Sequence, residues 1–333
     1  MPPDPASRIS RTEPGRWPYR LAIALSCATF PLISVGGLVT SYDAGMAVPD
    51  WPNTYGYNLL LYPWQTWLFG PWDLFLEHGH RLLGILTGML AIGLVGAVYY
   101  YDQRRSARWL AAVALALVIA QGCLGGARVL LDDRQLAMLH GCFGPAFFAY
   151  CAAVAAYLSP RASDAARVRT SARARPLRRF TCLITALAYV QLVLGAQMRH
   201  IPVTAGPWLF NISLLLHLAN ALLLSTAVVV SVISLGRDRG EVALRRPAQW
   251  LAGLLGVQLC LGAWTWIVKY GWPHWIASYS FNADFTIQAK SMLQTGISTL
   301  HMAMGSLILA AALLSHLRTW QLMRSPEAVG GRR

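Results

Sequence analysis

Eight stretches of the chain are almost wholly apolar for about 20 residues or more, long enough to cross a bilayer core of roughly 30 Å. They lie near 20–41, 76–101, 108–131, 136–158, 178–199, 209–235, 247–270 and 293–318, and are called spans 1 to 8. The pattern predicts an all-α polytopic membrane protein with eight transmembrane helices. Composition agrees: 56% of residues are hydrophobic, 13% are charged and the mean hydropathy is +0.44, against roughly 25% charged in an ordinary soluble domain. Span 1 follows a polar, arginine-bearing arm and precedes further spans, which predicts a retained helix rather than a cleaved signal peptide.

The net charge of +14 would suit nucleic acid if the basic residues were clustered on one domain. They are instead sorted by loop. Four arginines precede span 1, three join spans 2 and 3, seven join spans 4 and 5, four join spans 6 and 7 and four follow span 8. These are 22 of the 28 Lys and Arg, all on one side. The positive-inside rule makes that side cytoplasmic, with both termini inside. The expected partner surface is the lipid bilayer, not nucleic acid. The six cysteines lie within or at the ends of spans, so no outer loop cysteine pair and no zinc spacing is present.

A repeat divides the chain. Gln121-Gly122-Cys123-Leu124-Gly125, Gln191-Leu192-Val193-Leu194-Gly195 and Gln258-Leu259-Cys260-Leu261-Gly262 all read Gln-x-x-Leu-Gly, on spans 3, 5 and 7; span 1 has a degenerate version at Gly36-Gly37. Spans 2, 4, 6 and 8 each carry a histidine instead: His80, His140, His217 and His301. The reading is two duplicated four-helix bundles, 20–158 and 180–318. A basic cytoplasmic linker, 159–179, joins them, between an unstructured cytoplasmic arm, 1–19, and a cytoplasmic tail, 319–333.

Ionisable groups inside a span mark functional sites by default. The four histidines sit roughly four to nine residues into their spans, about 6–13 Å at the helical rise, all in the outer half. Neutral imidazole suits haem iron, and two histidines per half fit one porphyrin per half. A small residue follows each at i+4 (Gly84, Gly144, Ala221, Gly305), which would leave room for a flat ligand. Six basic residues stand at the outer ends; of these, Arg81 and Arg128 are the best candidates to grip porphyrin carboxylates. Glu77, one turn before His80 on the same face, suits acid–base work beside the iron. The second half offers only Leu214 and Ser298 at that offset, so the halves are chemically unequal. The outer segment 42–75 carries Trp51, Trp64, Trp67 and Trp72 and reads as an interfacial aromatic belt, or as a lid over a site beneath it.

Together these residues resemble the haem A synthase family of cytochrome oxidase assembly proteins, over about 20–318. The resemblance rests on Gly36-Gly37-Leu38-Val39-Thr40, Val48-Pro49-Asp50-Trp51-Pro52, the Glu-x-x-His-Arg of Glu77, His80 and Arg81, the Gln-x-x-Leu-Gly motifs and the four histidines. It implies oxidation of the ring D methyl of haem O to a formyl group, giving haem A for terminal oxidases. His80 and His140 would flank the substrate haem with Glu77 essential nearby, and His217 and His301 would bind a haem B cofactor. It further implies a cytoplasmic (inner) membrane location, and haem O synthase (a farnesyltransferase) and terminal oxidase assembly factors as partners; a homo-oligomer stays open. Some members have an outer-loop cysteine pair, near where Ala47-Val48 stand here. Arg199-His200, ending span 5, also resembles a family feature, with His200 as a gating or propionate contact. The rival reading is a di-haem B, quinol-linked electron-transfer cytochrome. Many of those take two ligands from one helix about 14 residues apart, a spacing no span here offers. A repeat-built transporter would instead show broken helices at the midplane.

Overall fold

The computed structural model describes residues 16–160, 174–202, 204–237, 242–273 and 286–323. Its helices are α1 (Arg16–Ser41), α2 (Trp64–Phe69), α3 (Trp72–Tyr101), α4 (Arg105–Leu130), α5 (Arg134–Leu158), α6 (Ala174–His200), α7 (Pro207–Arg237), α8 (Val242–Tyr270) and α9 (Met292–Met323). All but α2 are long and apolar enough to cross a membrane, and no strand is found among the described residues. The protein is a multi-pass membrane protein. In lipid, the helix is the form that satisfies each backbone group within its own segment.

Several helix ends run past the apolar stretches. α1 begins at Arg16, inside the stretch expected to be an unstructured arm; α6 begins at Ala174, inside the expected linker; and α9 reaches Met323, inside the expected tail. Residues 1–15, 161–173 and 324–333 lie outside the described residues. The extensions carry basic residues that bend towards aromatic faces at the membrane edge: Arg20 lies over Trp17 at 5.5 Å and Arg178 over Trp320 at 5.0 Å. Such cation–π contacts offset a charge at a helix end. At the other end of the bundle, Asp133 caps α5 by accepting from the backbone N–H of Gln135 and Leu136 at 2.6 and 3.0 Å, satisfying two donors the helix start leaves open.

Packing falls into two rings. In the first half α1 touches α3 and α5, and α4 touches the same two; in the second, α6 touches α7 and α9, and α8 touches the same two. The rings meet where α5 packs on α9, α1 on α9 and α5 on α6. The first ring closes on small residues, with Ala22, Ala91, Ala107, Ala111 and Ala114 buried beside Leu25, Leu94 and Val98. Small side chains let helix backbones approach closely, which is what holds helices together where lipid offers no hydrophobic drive. The second cluster includes Phe148 and Ala149 of α5 together with Ile184, Val228, Leu255, Ile308 and Ala312, so it spans the junction as well as the second ring.

Candidate functional site

Each half presents two imidazoles face to face. His80 of α3 and His140 of α5 have ring centroids 6.3 Å apart with planes at 87°; His217 of α7 and His301 of α9 are 6.4 Å apart at 64°. Each ring is seated on a glycine of a neighbouring helix. A Cβ built on Gly36 of α1 would lie 2.9 Å from His80 Cε1, and on Gly125 of α4 3.1 Å from His140 Cε1. The corresponding distances are 3.4 Å from Gly195 of α6 to His217 and 3.1 Å from Gly262 of α8 to His301. The repeated motif therefore has a mechanical meaning. Its glycine is the seat of an imidazole, and its glutamine, one turn earlier, fastens the opposite helix: Gln121 Nε2 donates to the carbonyl of His140 at 3.4 Å and Gln191 Nε2 to that of His217 at 3.0 Å. Asn220, one turn past His217, donates to Gln191 Oε1 at 2.6 Å and locks that glutamine in place.

These residues fit a metal bound between each pair. All four rings are enclosed, with no side-chain partner for Nδ1, and each lies against the backbone of the residue one turn before its glycine seat, Leu32, Gln121, Gln191 and Gln258, the kind of contact that orients a ligand imidazole. A metal–imidazole bond measures about 2.0–2.1 Å. Centroid separations of 6.3 and 6.4 Å leave room for one metal ion held by both rings of a pair. Among the described residues no group of three or more His, Cys, Asp or Glu gathers. Two facing imidazoles would suit an iron held otherwise by a macrocycle; they do not supply the four ligands of a structural zinc site.

Beyond the first pair lies a charge cluster that has no counterpart among the described residues of the second half. Glu77 is buried, and its carboxylate accepts from Arg81 Nε at 3.2 Å and from Arg128 Nη2 at 3.3 Å. Arg81 does more than pair with it: Nη1 donates to the carbonyls of Asp50 and Asn53, both at 2.7 Å, and Nη2 to that of Val48, also at 2.7 Å. Nη2 also lies 3.2 Å from a Glu77 carboxylate oxygen as an ion pair, so four of the five N–H groups of the guanidinium are hydrogen-bonded. Arg81 is a clamp on the outer segment, with donors on the backbone carbonyls of Val48, Asp50 and Asn53. Arg128 is less fully engaged, with bonds of 3.3 Å to Glu77 and to the carbonyl of Gly45. One carboxylate is thus shared by two guanidiniums, leaving a net positive charge beside His80 and His140.

The outer segment folds over this site. Trp51 lies on Gly126 so closely that a Cβ there would sit 2.3 Å from the indole. In the Gly125-Gly126 pair one glycine seats His140 and the next seats Trp51. Asp50 holds the following turn by accepting from the N–H of Tyr55 and Gly56, both at 2.8 Å. His78, two residues before His80 and so on the other face of α3, is buried with Nδ1 3.0 Å from Thr54 Oγ1 and packs against Tyr62 and Trp67. It anchors the segment. The lid reading therefore accounts for Trp51 and Trp67, while Trp64 and Trp72 remain exposed as belt residues do.

The small residues one turn past the histidines behave unequally. Only Gly84 faces open space; Gly144 abuts Ile33 and Gly305 abuts Leu192. The expectation of ligand room at Gly144 and Gly305 is corrected: these glycines serve helix contact. Sequence reasoning also missed the pairing of Glu77 with Arg128, and the single usable signal was that both lie at outer span ends.

Residues 71–207 match the family model described as "Cytochrome oxidase assembly protein". The match covers α3 to α6, with Glu77, His80, Arg81, Arg128, His140 and the Gln191 motif. The chain is also 25% identical over 234 residues to a protein named "Heme A synthase" from Shouchella clausii (strain KSM-K16), covering 64% of this chain and 74% of that one. Both findings support the haem A synthase family. No solved structure matches. The matched residues hold Glu77, His80 and His140, whereas the covering segment lies before their start and His217 and His301 lie beyond their end.

Proposed function

We propose that this chain oxidises the ring D methyl of haem O to a formyl group, producing haem A, with the substrate haem between His80 and His140 and a haem B between His217 and His301. The observation that supports the reading is the charge cluster beside one of two otherwise parallel sites: both have facing imidazoles on glycine seats, and among the described residues only the first has a buried carboxylate beside it, under a segment that Arg81 clamps in place. When bound, haem iron supplies the redox chemistry, and the protein supplies position and proton handling. Taking hydrogens off a methyl carbon releases protons. Glu77 is the one carboxylate within a turn of a ligand histidine, and its two guanidinium partners fix its direction. Arg128, with donors to spare, is the better placed of the two arginines to meet a porphyrin carboxylate. Trp51 and the Arg81-clamped segment exclude water from above, which strengthens every electrostatic interaction beneath.

The sorting of basic residues supports a cytoplasmic membrane location with both termini inside, which puts the two sites near the outer face. Haem O synthase and oxidase assembly factors are the partners this reading implies. The competing function, a di-haem B cytochrome, needs the same four ligands but gives no role to Glu77. Pigment extraction from purified protein separates the two: haem O or haem A beside haem B is the expected result, and haem B alone in both sites would reject the synthase. In the same preparation, His217→Ala or His301→Ala should remove the low-spin haem B spectrum, and full retention in both would reject the ligand assignment.

A further inference from the structure

Arg199, the penultimate residue of α6, joins three helices. Its Nη2 donates to the carbonyl of Gly37 at 3.0 Å and to Ser41 Oγ at 2.8 Å, both on α1. Ser41 Oγ is in turn 3.4 Å from Thr299 Oγ1 on α9, two positions before His301. Gly37 is also where α9 presses on α1, since a Cβ there would meet Met302 Cε at 2.4 Å and Thr299 Cγ2 at 3.0 Å. Arg199 lies one turn beyond Gly195, the seat of His217, and its acceptor Gly37 follows Gly36, the seat of His80. The guanidinium is therefore fixed where the two rings meet, against the backbone that carries ligands or ligand seats of both sites.

Its setting differs from that of Arg81 and Arg128. Those two share Glu77, whereas both partners of Arg199 Nη2 are neutral. Lys269 at the end of α8 adds a second positive charge near it. A fixed cation close to an iron favours the state holding one more electron, and the effect is larger in a low-dielectric setting than in water. We propose that Arg199 is a positioning residue whose charge, held by Gly37 and Ser41, raises the reduction potential of the haem in the second half. The inference rests on the haem assignment above. Each site then has its own fixed positive charge, the Arg81–Glu77–Arg128 cluster at the first and Arg199 at the second, so that the protein sets the potential of each.

The test is a redox titration of the low-spin haem in purified wild type, Arg199→Gln, Arg199→Lys and Ser41→Asp. Arg199→Lys keeps the charge and should stay within a tenfold change in the oxidation equilibrium, 59 mV for one electron. Arg199→Gln removes the charge, and Ser41→Asp neutralises it in place; each should lower the potential by a tenfold shift or more. A wild-type potential in Arg199→Gln overturns the proposal. Should Arg199→Gln fail to hold haem, Ser41→Asp decides alone, and an unchanged potential there overturns it equally. Loss of the haem signal in His217→Ala confirms that the titrated haem is the intended one; its persistence would defeat the functional reading instead, so the two failures are distinguishable.

Discussion

The four glycine seats make a graded prediction, because alanine at each adds the same methyl group at a different distance from an imidazole. Ordinary contact begins near 3.4 Å, so Ala at position 36, with 2.9 Å available, must push His80 by about 0.5 Å; at positions 125 and 262, with 3.1 Å, the push is about 0.3 Å; at position 195, with 3.4 Å, nothing needs to move. Two opposing terms apply. Alanine gains about 1 kcal/mol over glycine in a helix interior, while overpacking costs typically about 1–3 kcal/mol. Ligand geometry tolerates a displacement of only about 0.5 Å. Gly195→Ala should therefore keep haem and melt at or slightly above the wild-type temperature in detergent. Gly125→Ala and Gly262→Ala should lose affinity a few-fold, and Gly36→Ala about tenfold, equivalent to roughly 1.4 kcal/mol. The assay is haem occupancy per protein by absorbance during controlled dilution, with thermal unfolding alongside. If Gly195→Ala loses haem as readily as Gly36→Ala, or if all four substitutions are equally silent, the seats are not what positions the rings.

Three further outcomes follow from the same geometry. Glu77→Gln keeps the side chain's size and one acceptor but cannot exchange a proton, so the variant should bind both haems, accumulate haem O or a hydroxylated intermediate, and lose roughly 10²–10⁴-fold in rate; near-wild-type production of haem A would move the chemistry elsewhere. Cysteines at the exposed positions Asn53 and Gln103 should label from opposite sides with impermeant reagents, Asn53→Cys from outside only, and the reverse pattern would invert the topology. Burial pushes the Asp50 carboxyl up, but the N–H groups of Gly56 and Tyr55 and the nearby Arg81 outweigh it and hold it below its ordinary 3.8. A lowered folded value means the stabilisation is complete above about pH 3.8 and fades as pH falls through the folded value. An acid-tolerant protease should then cut the 48–60 segment faster as pH drops through that window. Asp50→Asn should be cut at a rate that does not change with pH; the same pH profile in both proteins would remove Asp50 as the cause.

The eight spans and the four histidines are legible in the sequence because each depends on local composition: a run of apolar residues, or an imidazole where lipid disfavours one. The unequal halves were legible too, from Glu77 against Leu214 and Ser298. The tertiary structure alone decided which groups meet. Glu77 finds Arg128 across a separation of 51 residues, and Arg199 finds Gly37 across 162; no period of 3.6 encodes such distances. Arg81 shows the limit most clearly. A guanidinium beside an anion-binding position reads as a ligand contact, yet three backbone carbonyls of a distant outer segment claim its donors, because a carbonyl is present at every residue and leaves no mark in a sequence. The glycines were visible as a repeat, but their purpose appeared only when another helix delivered a ring to each: a missing side chain becomes a seat only once something occupies the space it leaves.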